Sequence, residues 1–221
     1  RHNFSRNNKI KTLALFFIDD IHAYRDSADP DKQPYLRLTF ERLLAEKIQA
    51  TLPLLHLQEA EYKAYLEASL ANLSATHAGY FSQDNSSADD AIAQEVQEIL
   101  FEKKKLLAIK TNEGNFNTRR FLFSKWTLKE GWDNPNVFTI AKLRSSGSEN
   151  SKLQEVGRGL RLPVDEYGNR ISNEDFQLNY IIDFTEADFA EKLVAEINAD
   201  LPQGFVLTDE QIAAVAAKLS M

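Results

Sequence analysis

Within Gln154-Glu-Val-Gly-Arg-Gly-Leu-Arg161, an amide, a glycine and two arginines recur at the spacing of one helical face. Gln154, Gly157, Arg158 and Arg161 stand at i, i+3, i+4 and i+7, which on an α-helix is a single stripe. Leu153, Val156 and Leu160 make a second stripe, apolar and suited to face a sheet. A guanidinium is planar, permanently charged and able to donate to two oxygens at once, so two of them on a rigid element suit a polyphosphate. Gly157, with no Cβ, lets a ligand come close to the backbone. Spacing alone is equally compatible with a surface helix whose arginines sit in ion pairs, with Glu155 or another carboxylate.

A second candidate is the turn-rich stretch Glu130-Gly-Trp-Asp-Asn-Pro-Asn136. Gly131 frees the backbone to turn, Asp133 offers an acceptor for hydroxyl groups, and Asn134-Pro135 fixes the exit. It lies between two strand-like runs, just past the expected carboxyl end of the first, and in open parallel sheets ligands bind at that end. An ordinary turn holding a packed Trp132 has the same composition. Trp126 and Trp132 could stack on a base, although aromatic residues beside a buried strand more often belong to the core.

Several chemistries are missing. There is no Cys, so disulfides, iron–sulfur clusters and cysteine nucleophiles are excluded. His2, His22, His56 and His77 are far apart and show no ligand spacing, so no metal site is expected. None of the eight glycines precedes a lysine, which excludes the phosphate loop Gly-x-x-x-x-Gly-Lys-Ser/Thr. No Asp-Glu box is present to hold Mg²⁺. Pro30-Asp31 with Glu61-Tyr-Lys63 imitates a nuclease signature, but Glu61 falls in a helical stripe, whereas such carboxylates sit on adjacent strands.

The elements that must position these residues read as alternating strands and capped helices. Thr12-Leu-Ala-Leu-Phe-Phe-Ile18, ending in Asp19-Asp20, has the continuous apolar character of a strand buried on both faces. Asp20 fits a helix N-cap better than a cation site. Helical stripes follow at Leu36, Phe40, Leu43, Leu44 and Ile48, and at Leu57, Ala60, Ala64, Leu66, Leu70 and Leu73, with Pro53 between them. Thr76-His-Ala-Gly-Tyr-Phe81, Arg120-Phe-Leu-Phe-Ser124, Val137-Phe-Thr-Ile-Ala141 and Tyr180-Ile-Ile-Asp-Phe184 are further strands. Phe121, Phe123 and Phe138 belong to the core. Ser87 with Asp90 caps a helix running to about Leu107; Ser151 with Gln154 caps one that Pro163 stops; Thr185 with Asp188 and Thr208 with Gln211 cap two more. The pattern predicts an α/β domain, a parallel sheet with helices on both faces.

Composition supports a folded domain: 221 residues, 43% apolar and 27% charged, with only 8 Gly and 6 Pro, exclude bulk disorder and linker-dominated chains. No apolar run approaches the ~20 residues a membrane helix needs. No signal pattern opens the chain, and a cytoplasmic setting is expected. The chain begins at Arg1 and its one Met is Met221, so it reads as a piece of something longer. The net charge of −7 is unevenly placed. Residues 103–170 hold 14 Lys and Arg against 7 Asp and Glu, and the remainder holds 12 against 26. A basic face on an acidic body suits contact with phosphates, and a solvated lysine-rich helix face is the plainer alternative.

Gly131-Trp-Asp133 with Pro135 and Val137, followed by Gln154-x-x-Gly157-Arg158-x-x-Arg161, resembles motifs V and VI of superfamily-2 helicases and translocases. The longer strings from Phe121 to Phe138 and Gly157-Arg-Gly-Leu-Arg-Leu-Pro163 resemble the Res subunit of type III restriction–modification enzymes. Phe16-Phe-Ile-Asp-Asp20 near Tyr24-Arg25 is similar to that family's motif IV region, and His77-Ala-Gly-Tyr-Phe-Ser-Gln-Asp84 also fits. The resemblance implies a RecA-like fold of the P-loop NTPase type, with residues 1–200 as the second RecA-like domain, 36–73 as a helical insertion and 201–221 as a C-terminal helical extension. It implies that Arg158 and Arg161 act as arginine fingers toward the γ-phosphate of ATP bound by a first RecA-like domain, with Gln154 near the same phosphates. Gly131, Asp133 and Gly157 would border the nucleotide, and Ser124, Lys125 and Thr127 would contact the DNA backbone.

The same resemblance implies ATP and Mg²⁺ as cofactors of the whole enzyme, double-stranded DNA as substrate, a Mod methyltransferase partner and a nuclease domain elsewhere in the subunit. This chain alone, as half of an active site, is expected to be inactive. It carries Glu130 and Glu155 where many superfamily-2 proteins carry Arg, so no contact is carried over at those two positions. Another superfamily-2 helicase of repair or RNA metabolism, or a non-motor nucleic-acid-binding module on the same fold, would show much of the same pattern.

Overall fold

The computed structural model describes residues 2–4, 8–26, 33–81, 103–125, 134–143, 161–172, 174, 176–182, 191 and 195. Five strands form one sheet: β1 (Leu13–Ile18), β2 (His77–Tyr80), β3 (Phe121–Ser124), β4 (Val137–Leu143) and β5 (Asn179–Ile181), in the order β2-β3-β1-β4-β5. Every pairing is parallel. The central strand β1 is the most apolar, as expected of a strand covered on both faces.

Strand alternation sorts the side chains into two layers. Leu15 lies opposite Leu122 of β3 and Ile140 of β4, and all three are completely buried. With Leu13, Phe17, Ala78, Tyr80 and Val137 they build one core, which helix α3 (Lys103–Leu107) covers through Leu106. Each Leu, Ile, Val or Phe side chain among them that is removed from water contributes about 1.5–3 kcal/mol. On the opposite face Phe16, Phe121 and Phe123 meet helix α1 (Tyr35–Thr51) through Leu36 and Phe40. The rings of Phe16 and Phe123 stack at 4.8 Å, and Phe40 stands edge-on to both.

Helix α1 follows Pro34 at its N-cap, and its helical run gives way to a 3₁₀ turn that contains Pro53, where proline has no N–H to continue the ladder. Helix α2 (Ala60–Ala71) follows. Tyr65 and Leu66 of α2 join Ile48 of α1, Phe4 and Ile109 in a third cluster beside the sheet. The segment expected as a helical insertion thus begins by covering the sheet and ends by holding the N-terminal residues. Helix α3 ends at Leu107 as expected; its proposed cap at Ser87, the helix expected at 208–221 and residues 151–160 of the helix expected to run from Ser151 to Pro163 lie outside the described residues, while Arg161 and Leu162, at the end of that expected helix, are not helical. No described helix is long and apolar enough to cross a membrane.

The turn after β1 latches onto β2. Asp20 caps a short 3₁₀ turn by accepting from the His22 N–H, as its position after the strand predicts. That turn delivers Tyr24 to the buried His77, 2.6 Å from Nδ1, while Nε2 lies 2.9 Å from Glu41 of α1. A carboxylate can only accept, so Nε2 carries the proton toward Glu41 and Nδ1 accepts from the Tyr24 hydroxyl. Arg25 donates to the Gly79 carbonyl. His77 is therefore a satisfied core histidine joining three elements. A Cβ on Gly79 would stand 2.5 Å from ring atoms of both Tyr24 and Phe81.

Two outcomes follow for this latch. Gly79→Ala should destabilise the chain by about 1–3 kcal/mol through overpacking, measured by denaturant unfolding. Burial holds the His77 imidazole below its ordinary value of 6.5, against the opposing pull of Glu41. The unfolded chain then binds a proton more readily than the folded one, so this stability is complete above about pH 6.5 and is lost as pH falls toward the folded value. His77→Gln should flatten the melting temperature between pH 6.5 and 5, where the unaltered chain declines.

Candidate functional site

Strand β3 carries the chain to the loop that holds the candidate stretch Glu130–Asn136. Its last residue, Ser124, shares a face with Leu122 and is completely buried, with an Oγ that has no hydrogen-bond partner. Strand parity turns this residue, expected as a contact to the DNA backbone, into the α3 layer. Lys125, the next residue, is half-buried. Thr127, Gly131 and Asp133 lie outside the described residues, as do Gln154, Gly157 and Arg158 and both tryptophans.

By Asn134 the chain has returned to the amino end of β4, which parallel pairing requires. Asn134 and Asn136 are both buried. Asn134 Oδ1 accepts from the Asn136 N–H at 3.0 Å, an Asx turn around Pro135. The Asn136 carbonyl accepts from the Leu13 N–H at 2.8 Å, joining this turn to the start of β1. The Asn136 side chain then makes two bonds to one distant residue. Oδ1 accepts from the Val164 N–H at 2.8 Å, and Nδ2 donates to the Val164 carbonyl at 2.9 Å.

Val164 stands three residues after Arg161, the one candidate finger among the described residues, and Arg161 is exposed. The chain there makes a tight hairpin. Val164 bridges Arg170 in antiparallel fashion, and Gly168 takes φ +88°, a conformation that favours glycine. The buried Asp165 carboxylate accepts from the N–H groups of Tyr167 and Asn169 and from the side chains of Asn169 and Asn8. Burial pushes this carboxyl up, but those hydrogen bonds outweigh it and hold it below its ordinary value. The Lys9 N–H donates to the Glu166 carboxylate and the Glu166 N–H to the Lys9 carbonyl, and Lys9 Nζ reaches both Glu166 and Glu61. The ends of the two motifs thus meet at the amino pole of β1 and β4, braced by residues 8–9.

Of the nuclease-like set, Pro30 and Asp31 lie outside the described residues. Glu61 lies on α2 and is engaged by Lys9 and Lys110 at 3.3 and 3.2 Å. Among the described residues no group of His, Asp or Glu is arranged to hold a metal ion. Asn136 was legible only as a turn former, since its partner is 28 residues away and no local pattern points to it.

A five-stranded parallel sheet with helices packed on both faces is an α/β fold of the RecA-like type. No protein-family model matches the chain. Three curated proteins are similar to it: the Res subunit of the type III restriction-modification enzyme StyLTI of Salmonella typhimurium, 53% identical over 216 residues, that of EcoP15I of Escherichia coli, 56% over 176, and that of EcoPI of Escherichia phage P1, 53% over 178. The matches cover 80–90% of this chain and 17–21% of those proteins, so the chain spans about a fifth of their length. The chain belongs to the family of type III restriction–modification Res subunits.

The hairpin that follows Arg161 should depend on its buried carboxylate. Asp165→Ala leaves the Tyr167 and Asn169 donors without their acceptor and should cost about 1–3 kcal/mol, read from equilibrium unfolding of the 221-residue chain.

Proposed function

We propose that this chain is the second RecA-like motor domain of a type III Res subunit, with residues 1–200 forming the domain, 36–73 its helical insertion and 201–221 a helical extension. The whole protein is then an ATP-dependent restriction endonuclease of the cytoplasm that moves on double-stranded DNA and works with a Mod methyltransferase, the nuclease residing elsewhere in the subunit. The observation that carries this reading is the identity of 53–56% with three Res subunits. A match of 176 residues within 221 has to contain about residues 46–176 wherever it begins, and so includes both motif stretches.

In this reading Arg158 and Arg161 reach across a cleft toward nucleotide held by the first RecA-like domain. Gln154 and Gly157 lie on the same helical stripe, and Gly131 and Asp133 border the sugar. Arg161 is exposed directly before a braced hairpin, where a group that arrives from outside the chain can reach it. When bound, ATP supplies a transferable phosphoryl group and Mg²⁺ neutralises part of its charge. The Mg²⁺ ligands belong to the first domain, since the sequence has no phosphate loop or acidic box. The arginines stabilise charge that develops on the phosphoryl oxygens, a task for fixed donors in a water-poor cleft. Lys125 and Thr127, at the loop after β3, contact DNA phosphates, which orients a translocase without reading sequence.

Replacing Arg158 or Arg161 by Ala in the full-length subunit should lower DNA-stimulated ATP turnover by about 10³-fold. Site recognition by Mod, followed by gel shift, should be unchanged. Normal turnover in both variants refutes the finger assignment.

A further inference from the structure

Asn136 uses each of its hydrogen-bonding groups. Its N–H goes to Asn134 Oδ1, its C=O to the Leu13 N–H, and its carboxamide to both polar groups of Val164. It is 1% exposed, so water does not compete for these bonds. The carboxamide presents one acceptor and one donor side by side, as a neighbouring strand would, and it does so from the first turn before β4. Asp, Leu or Ala cannot offer both. The result is a fixed distance between the exit of one motif and the chain three residues beyond the last arginine of the other. Residues 162–164 are further constrained by Pro163, whose carbonyl accepts from the Ile171 N–H.

We propose that Asn136 is a positioning residue for Arg161, its carboxamide fixing where the guanidinium stands relative to the sheet. The proposal rests on the arginine-finger reading above. A finger stabilises a phosphoryl group in flight only when held to within a fraction of an ångström, and displacement by about 1 Å can cost 10²-fold in rate. Asn136 touches no nucleotide; it acts through the backbone of Val164. Its loss should therefore slow the chemical step and leave ATP affinity, which the first domain provides, nearly as it was.

The test is a double-mutant cycle in the full-length subunit with its methyltransferase partner, reading kcat and KM for ATP in DNA-stimulated hydrolysis. Asn136→Ala should lower kcat by about 10- to 100-fold with KM for ATP within about twofold. In an Arg161→Ala background the same change should lower kcat no further. An equal loss in both backgrounds, a rise in KM at unchanged kcat, or full activity of Asn136→Ala overturns the proposal. Wild-type turnover of Arg161→Ala itself defeats the finger reading, and impairment of Asn136→Ala beside it shows that Asn136 acts elsewhere. Should Asn136→Ala melt below the assay temperature, Asn8→Ala carries the same cycle. Asn8 is exposed and donates to Asp165 at 3.1 Å, so its removal loosens the same hairpin from the other side. It should cost about three- to tenfold in kcat, again only where Arg161 is present.

Discussion

A buried carboxamide that is bonded to the backbone of a residue 28 positions away is the constraint on which the amino pole of this domain depends. In a parallel sheet every strand begins at the same pole, so each crossover must travel the length of the sheet before the next strand starts. The ends of such crossovers carry polar backbone groups into a region that the strands have made apolar. Asn136 resolves this for two crossovers at once, pairing the Val164 peptide and, through its own carbonyl, the first amide of β1. Without it, the half-buried Val164 N–H and C=O would lose these partners, at a cost of up to about 1–3 kcal/mol each.

The opposite edge of the sheet is organised by a different economy of polar groups. There the turn after β1 sends Tyr24 and Arg25 to β2, and α1 contributes Glu41, so that His77 is satisfied on both ring nitrogens. Gly79 leaves the space that the Tyr24 and Phe81 rings occupy. These contacts join sequence segments that the family resemblance treats as separate signatures. Their proximity follows from the strand order, because β2 and β1 both pair with β3.

Much of the fold was legible because buried parallel strands are written as continuous apolar runs. Leu13–Ile18, Phe121–Ser124 and the start of β4 are such runs; Asp20 marks the turn after the first of them, and Pro53 the end of α1, by local chemistry. The same property hid the fate of Ser124. In a strand apolar on both faces, alternation does not say which layer a polar terminal residue joins, and here it joins the α3 core. Asn136 was hidden for another reason: in Asn-Pro-Asn both asparagines have ample local reason to exist as turn formers. Only the register of β4 against β1 and the hairpin after Arg161 reveal that one of them faces inward to a distant peptide. The candidate site was legible as a set of motifs carried by resemblance, and six of its nine residues lie outside the described residues.

The placement of the hairpin bears on why charge is distributed as it is. Residues 103–170 carry the positive excess, yet within the hairpin the buried charge is the Asp165 carboxylate, held by four hydrogen bonds and by no cation among the described residues. Neutral donors keep that carboxylate in place without drawing on the neighbouring arginines. An ion pair in its stead would tie an arginine to the hairpin and place two charges where water is excluded, an arrangement that often fails to repay its desolvation. In the motor reading this separation has a direct consequence. Asp165 is satisfied by amide donors and Glu166 by Lys9, so the hairpin keeps its shape without an ion pair between Asp165 and the arginine that precedes it.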